Sequence, residues 1–308
     1  MPLMLPGTLE CSVYLYRSQK DAKAGVGSGG SGFLVEMPSV SYPDDITHIY
    51  AVTASHVIER GYTVVRFNTK DGATDFHDVG KSAWTPHQDG DDVAVSKILT
   101  TYTDQFDIAP VSIDKFLPAL CYGLARDGFY SVTPGREVYM VGRFINHDGT
   151  QRNSPSVRFG HIAMMADAND KVRQPQRKIN GEVRDFDQES FLVDILSIGG
   201  YSGSPVFVYF PHDSKTDEGF TEFLLGVLWG TVPEYKPILD QNNKELLAGW
   251  RVESDTSMAG VVPAWRLRNL LENHEDLKSQ RKEEDRIINE KRKTQAQRPA
   301  GILHPKSE

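Results

Sequence analysis

Between residues 10 and 262 the apolar side chains come in short runs bounded by Gly, Pro, Asn, Asp and Ser, and no long amphipathic helical repeat develops. The runs fall at 10–16, 33–37, 48–53, 62–67 and 92–98. After a stretch from 100 to 128 with few strand signals they resume at 137–142, 157–165, 191–196, 206–210, 223–229 and 259–262. Short strands joined by turn-rich loops predict an all-β sandwich or barrel. Two segments read as exposed loops: 20–32, which ends in Gly-Ser-Gly-Gly-Ser-Gly, and the charged stretch 167–187. Past Pro263 the period changes. Ala264, Leu267, Leu270 and Leu271 lie at helical spacing with a proline at the first turn, which predicts a closing helix over 263–273.

The segment Gly199-Gly200-Tyr201-Ser202-Gly203-Ser204-Pro205 lies between two of the apolar runs. Three glycines and a proline in so short a space force a tight, open turn that displays the Ser202 hydroxyl at its tip. Taken alone, the turn is as compatible with an ordinary hairpin as with a nucleophile. Upstream, however, Thr53-Ala54-Ser55-His56 ends one apolar run and Asp92-Val93-Ala94-Val95 opens another. These three pieces, in the order His, Asp, Ser, resemble the chymotrypsin-like (trypsin-like) serine peptidases, whose motifs read T-A-x-H, D-[IVL]-A-[VIL] and G-x-S-G-[GS]-P. The entry Gly30-Ser31-Gly32-Phe33-Leu34-Val35 is similar to one found in the bacterial branches of the same family.

The resemblance implies two six-stranded antiparallel β-barrels, over about 8–118 and 130–262, with a site in the cleft between them. The helix at 263–273 would complete a peptidase domain spanning 8–273. It also implies a serine endopeptidase working through an acyl-enzyme. Ser202 would attack the carbonyl, His56 would take its proton and return it to the leaving amine, and Asp92 would hold the imidazole in its tautomer and stabilise the charged form. Backbone N–H groups of Gly200 and Ser202 would form the oxyanion hole. Asp91 is the substitute if the register is off by one, and His77 and His87 are expected at the surface. The same resemblance gives a substrate-binding pocket with Leu196 at its floor, Ser197 beside it, and Leu228, Trp229 and Gly230 as a wall. An uncharged floor favours an apolar or small substrate side chain over Lys or Arg. Tyr201 stands where zymogen-activated members carry Asp, so activation by a newly released N-terminal amine is not expected.

Charge and cysteine content narrow the partners. A net charge of −8 gives no reason to expect nucleic-acid binding, which needs a basic face. Secreted members of the family are tied by several disulfides, whereas this chain has only Cys11 and Cys121, which read as two buried free thiols in a reducing compartment. No paired Cys/His ligand spacing and no phosphate loop is present, so neither a metal nor another cofactor is expected. There is no uncharged apolar run of ~18 residues, as a membrane span would need, and the start lacks the basic region of a secretory leader. The expectation is a soluble, cytoplasmic protein acting on a protein or peptide substrate. The mostly charged stretch 274–308 is expected as a solvated helix or disordered tail, with binding of a protein partner as its second reading. For the whole chain, the alternative to an enzyme is a trypsin-fold interaction module with little or no turnover. An α/β-hydrolase esterase is disfavoured because the histidine precedes the serine.

Overall fold

The apolar runs of the first half fold into one mainly antiparallel sheet. A computed structural model describes residues 7–99, 105–119, 132–144, 147, 149–179, 182–196, 199–211, 220–247 and 249–296. The first-half strands are β1 (Ser12–Tyr16), β2 (Gly30–Pro38), β3 (Thr47–Thr53), β4 (Val64–Asn68), β5 (Thr74–Asp78), β6 (Thr85–Pro86), β7 (Ala94–Leu99) and β8 (Val111–Ser112). They lie in the order β5-β4-β1-β2-β3-β7-β6, with β8 parallel to β2. Leu15, Leu34, Ala51, Val65, Phe67 and Ala94, from five of these strands, gather in one apolar cluster, so the sheet curls around them.

The second half closes completely. Its barrel comprises β9 (Glu137–Gly142), β10 (Ser156–Met164), β13 (Phe191–Asp194), β14 (Pro205–Pro211), β15 (Phe220–Pro237) and β16 (Arg251–Pro263). Inserted between β10 and β13 is a hairpin of β11 (Val172–Ile179) and β12 (Glu182–Gln188). Val138, Met140, Val193, Val206, Leu228 and Val261 fill the barrel. Their neighbours Tyr139, Val141, Phe207, Val227 and Val262 point to the other face, because strand side chains alternate. They too are buried, against Phe33, Tyr50, Val52 and Val95 of the first sheet. Burial on both faces explains why runs such as Val206-Phe207-Val208 are apolar without alternation.

The two halves share one connectivity. Leaving aside the two-residue β6 and β8, in each the first strand pairs with the second and the fourth, and the third pairs with the second and the sixth, which is β7 in the first half and β16 in the second. In the barrel the fifth and sixth strands, β15 and β16, also pair. Among the described residues their counterparts, β5 and β7, do not, so one lobe is a closed barrel and the other an open, curled sheet. The reason lies at the edges. β5 is mostly polar and exposed, with Phe76 its one apolar side chain, and the short β6 beside β7 contains Pro86, which cannot donate to a ladder.

Three segments differ from their sequence expectations. The loop expected at 20–32 begins with a helix, α1 (Gln19–Ala24). Ser18 caps it by accepting from the Asp21 N–H at 3.1 Å, and Gly25, in the left-handed conformation, ends it. The stretch 167–187 contains the β11–β12 hairpin rather than a long exposed loop. Behind α2 (Ser55–Glu59) and α3 (Ala264–Asn273), the charged segment forms α4 (Glu275–Ala296), and this helix is docked rather than solvated on all sides. Leu277, Arg281 and Asp285, four residues apart on one face, are all buried. Arg281 Nη1 donates to the Tyr50 hydroxyl at 3.0 Å, and Ser39 Oγ donates to Asp285 at 2.7 Å. The docking seam is polar, which is why hydrophobic periodicity does not reveal it. Among the described residues no helix is long and apolar enough to cross a membrane.

Candidate active site

β3 ends at Thr53, and α2 turns the chain so that His56 stands at a strand end. Its backbone N–H donates to Asp92 Oδ1 at 3.0 Å, and its Nδ1 lies 2.8 Å from Asp92 Oδ2. Facing a carboxylate oxygen, Nδ1 carries the proton, which leaves Nε2 as the acceptor. Asp92 is fully buried while His56 keeps slight exposure, so the pair presents one imidazole edge to the cleft.

A buried carboxylate is stable only when donors surround it. Besides the two bonds from His56, Asp92 Oδ2 accepts from Gln174 Nε2 at 2.8 Å, and the Asp92 N–H donates to Gln188 Oε1 at 2.6 Å. Both glutamines belong to the β11–β12 hairpin, and sequence reasoning missed them. Asp91, the substitute carboxylate, is engaged elsewhere: Arg266 Nε of α3 donates to it at 2.5 Å, and His87 Nδ1 lies 3.3 Å away. His87 is therefore buried rather than at the surface, and burial lowers its pKa from the ordinary histidine value. His77 is exposed, as expected.

The Ser202 turn packs directly on the end of β3. A Cβ at Gly203, where φ is +88°, would lie 2.2 Å from both the Ser31 carbonyl and Thr53 Oγ1, and 3.0 Å from the Ala54 nitrogen. Only glycine permits that approach, which brings Ser202 alongside the segment carrying His56. The Ser202 carbonyl accepts from the Ser31 N–H at 3.0 Å. Its hydroxyl donates to the Trp229 carbonyl at 3.4 Å, so engaging His56 Nε2 requires a rotation about its side-chain bond. Gly200 has φ +101°, with the Arg143 guanidinium packed against it. Among the described residues the amides of Gly200 and Ser202 make no hydrogen bond. Tyr201 is fully buried. Its hydroxyl meets Ser156 Oγ at 2.5 Å and accepts from Arg158 Nε at 3.3 Å, which ties the turn into its own barrel.

Among the described residues expected to form the substrate pocket, the 228–230 strand does not line the pocket that Leu196 lines. Leu196 is half exposed at the end of β13, beside a pocket lined by Glu137, Phe159, His161 and Asp194 rather than by the 228–230 strand. The Leu228 side chain lies inside the barrel core. Trp229 turns into the interface between lobes, where its Nε1 donates to Ser190 Oγ at 3.0 Å. What β15 offers the site is thus backbone, including the Trp229 carbonyl that holds the serine. Ser197 lies outside the described residues. Cys11 is free and buried, with burial pushing its thiol far above the usual range, and Cys121 also lies outside the described residues.

A curled antiparallel sheet and a closed six-stranded barrel of like connectivity, followed by a closing helix, make a trypsin-like β-barrel protease fold. Among solved structures, the chain is similar to that of the inactive form of the Rv3671c protease, at 14% identity over 86% of this chain and 88% of that one, with a TM-score of 0.41. The active form of the protease, from M. tuberculosis, matches at 15% identity over 86% and 80%, with a TM-score of 0.42. No family model and no curated protein matches the chain.

Proposed function

We propose that the chain is a serine endopeptidase that cleaves a protein or peptide substrate through an acyl-enzyme on Ser202. The observation that carries the proposal is the two-point grip of Asp92 on His56, through both the backbone N–H and Nδ1. Such a grip fixes the tautomer that leaves Nε2 free to take a proton, and a buried carboxylate stabilises the imidazolium that results. In the proposed reaction the hydroxyl leaves the Trp229 carbonyl and gives its proton to Nε2 as Oγ attacks the scissile carbonyl. The amides of Gly200 and Ser202 then meet the oxyanion, each worth about 3–4 kcal/mol in the transition state. His56 returns the proton to the leaving amine, and a water repeats the sequence to release the acyl group.

One observation favours the second reading, an interaction module with little turnover: the serine hydroxyl is engaged with Trp229 rather than with His56. A fluorophosphonate probe separates the two. Labelling of Ser202 that falls by about 10³-fold or more in His56→Ala supports the peptidase. A wild-type protein that stays unlabelled, with intact fold, supports the module.

A further inference from the structure

We propose that the β11–β12 hairpin is a clasp that completes the orienting carboxylate, with Gln174 a positioning residue acting through Asp92; the part it plays in catalysis rests on the peptidase reading. The hairpin leaves the barrel between β10 and β13, yet both of its strands reach across to the other lobe. Gln174 Nε2 donates to Asp92 Oδ2 at 2.8 Å, and Gln188 Oε1 accepts from the Asp92 N–H at 2.6 Å. The Phe186 ring packs on Gly90, close enough that a Cβ there would lie 3.2 Å from it. Asp92 is thereby held from three sides: by His56, by one strand of the hairpin and by the other.

A second feature shows that the carboxylate dictates how the glutamine sits. Gln174 is buried, and its Oε1 has no hydrogen-bond partner among the described residues. Leaving a buried amide oxygen unpaired is costly, and an amide without a stronger demand on its NH₂ would turn to satisfy it. A carboxylate can only accept, so it keeps the NH₂ inward. The donor is also neutral. An amide stabilises the Asp92 anion without cancelling its charge, so the full attraction for an imidazolium at His56 is kept, whereas a Lys or Arg there would quench it. The ionisable groups packed around this point are otherwise occupied. Arg266 bridges Asp91 at 2.5 Å and Asp89 at 2.8 Å, His87 lies 3.3 Å from Asp91, and Glu189 accepts from Trp265 Nε1 at 3.0 Å.

Without the Gln174 donor, the Asp92 charge is less well spread, draws more strongly on the His56 proton, and raises the pH at which the imidazole loses it. The test uses the full chain carrying Gln174→Leu and, separately, Gln174→Met, which is closer in shape. The His56 titration is followed by ¹⁵N NMR, and Ser202 labelling by a fluorophosphonate is measured across pH. The expected result is a His56 midpoint raised by about one unit, with the acid limb of the labelling profile moving up alongside it, so that labelling slows by about tenfold well below the midpoint and by only about threefold near neutral pH. A His56 midpoint that does not move in whichever variant folds overturns the clasp. A midpoint that moves while wild-type Ser202 never labels upholds the clasp and overturns the peptidase reading instead.

Discussion

Ser31, on β2, uses all of its hydrogen-bonding groups, and its N–H and Oγ–H hold the Ser202 turn from the opposite lobe. Its N–H donates to the Ser202 carbonyl at 3.0 Å, its Oγ donates to the Gly200 carbonyl at 2.8 Å and accepts from the Arg143 N–H at 2.8 Å, and its carbonyl accepts from Thr53 Oγ1 at 2.7 Å. Ser31→Ala would remove the Ser31 partner of the part-buried Gly200 carbonyl and of the buried Arg143 N–H, a loss of roughly 1–3 kcal/mol in all. Urea unfolding should register that loss. Fluorophosphonate labelling should slow as well, because the peptide units on either side of Gly200 would no longer be fixed. A variant as stable and as readily labelled as wild type would show that the turn is held from its own barrel, through Tyr201, Ser156 and Arg158. In the candidate site, the His56–Asp92 pair and the Ser202 turn stand out in the sequence because each sits in a local run of recognisable residues. Ser31, Gln174 and Gln188 do not, because each acts through hydrogen bonds to distant segments, and a single polar residue in a strand carries no mark of its partner.

At the level of elements, α4 is where burial and hydrophobic pattern part company. Its residues are mostly charged, yet Leu277 joins the cluster formed by the first sheet, the barrel and α3. Leu277 is 1% exposed while Ile287, on the same helix, is 37% exposed. Leu277→Ala should therefore cost about 2–4 kcal/mol of unfolding free energy, and Ile287→Ala less than about 0.5 kcal/mol. Equal, small effects in denaturant titrations would mean that the helix does not stay docked. Strands with apolar runs, such as β3, β9 and β14, were legible within a residue or two. The β11–β12 hairpin was not, since it offers Gln174 to the Asp92 carboxylate and Gln188 to the Asp92 N–H, while its Val172 is only partly buried against the core. The helix α1 was missed for its length and polarity, although Ser18 followed three residues on by Asp21 is a capping signal. The open edge of the first sheet was likewise out of reach, because motifs at strand ends say nothing about whether the last pair of strands meets.

Across the whole molecule, α4 reaches from the closing helix α3 onto the outer face of the first sheet, and the junction is a buried polar cluster centred on His48. Lys97 of β7 lies 3.0 Å from His48 Nδ1 and pairs with Glu284, Asp285 lies 3.2 Å from Nε2, Arg281 stands nearby, and His48 itself is fully buried. Burial first, and then the Lys97 charge, hold the imidazole neutral and lower its pKa from 6.5 to about 4, outweighing the opposite pull of Asp285. The unfolded chain thus takes up a proton near pH 6.5 that the folded chain resists until about pH 4. Stability from this group is complete above the upper value and is lost as pH falls through the window. His48→Gln keeps an acceptor for Lys97 but cannot titrate. Between pH 7 and pH 5, roughly the range in which an ordinary histidine gains its proton, the wild-type melting temperature should fall further than that of His48→Gln. His87, also lowered by burial, is common to both proteins and cancels from the comparison. Parallel melting curves across this range would mean that the cluster under α4 admits the proton, and that the junction between tail helix and sheet is not what makes the fold sensitive to acid.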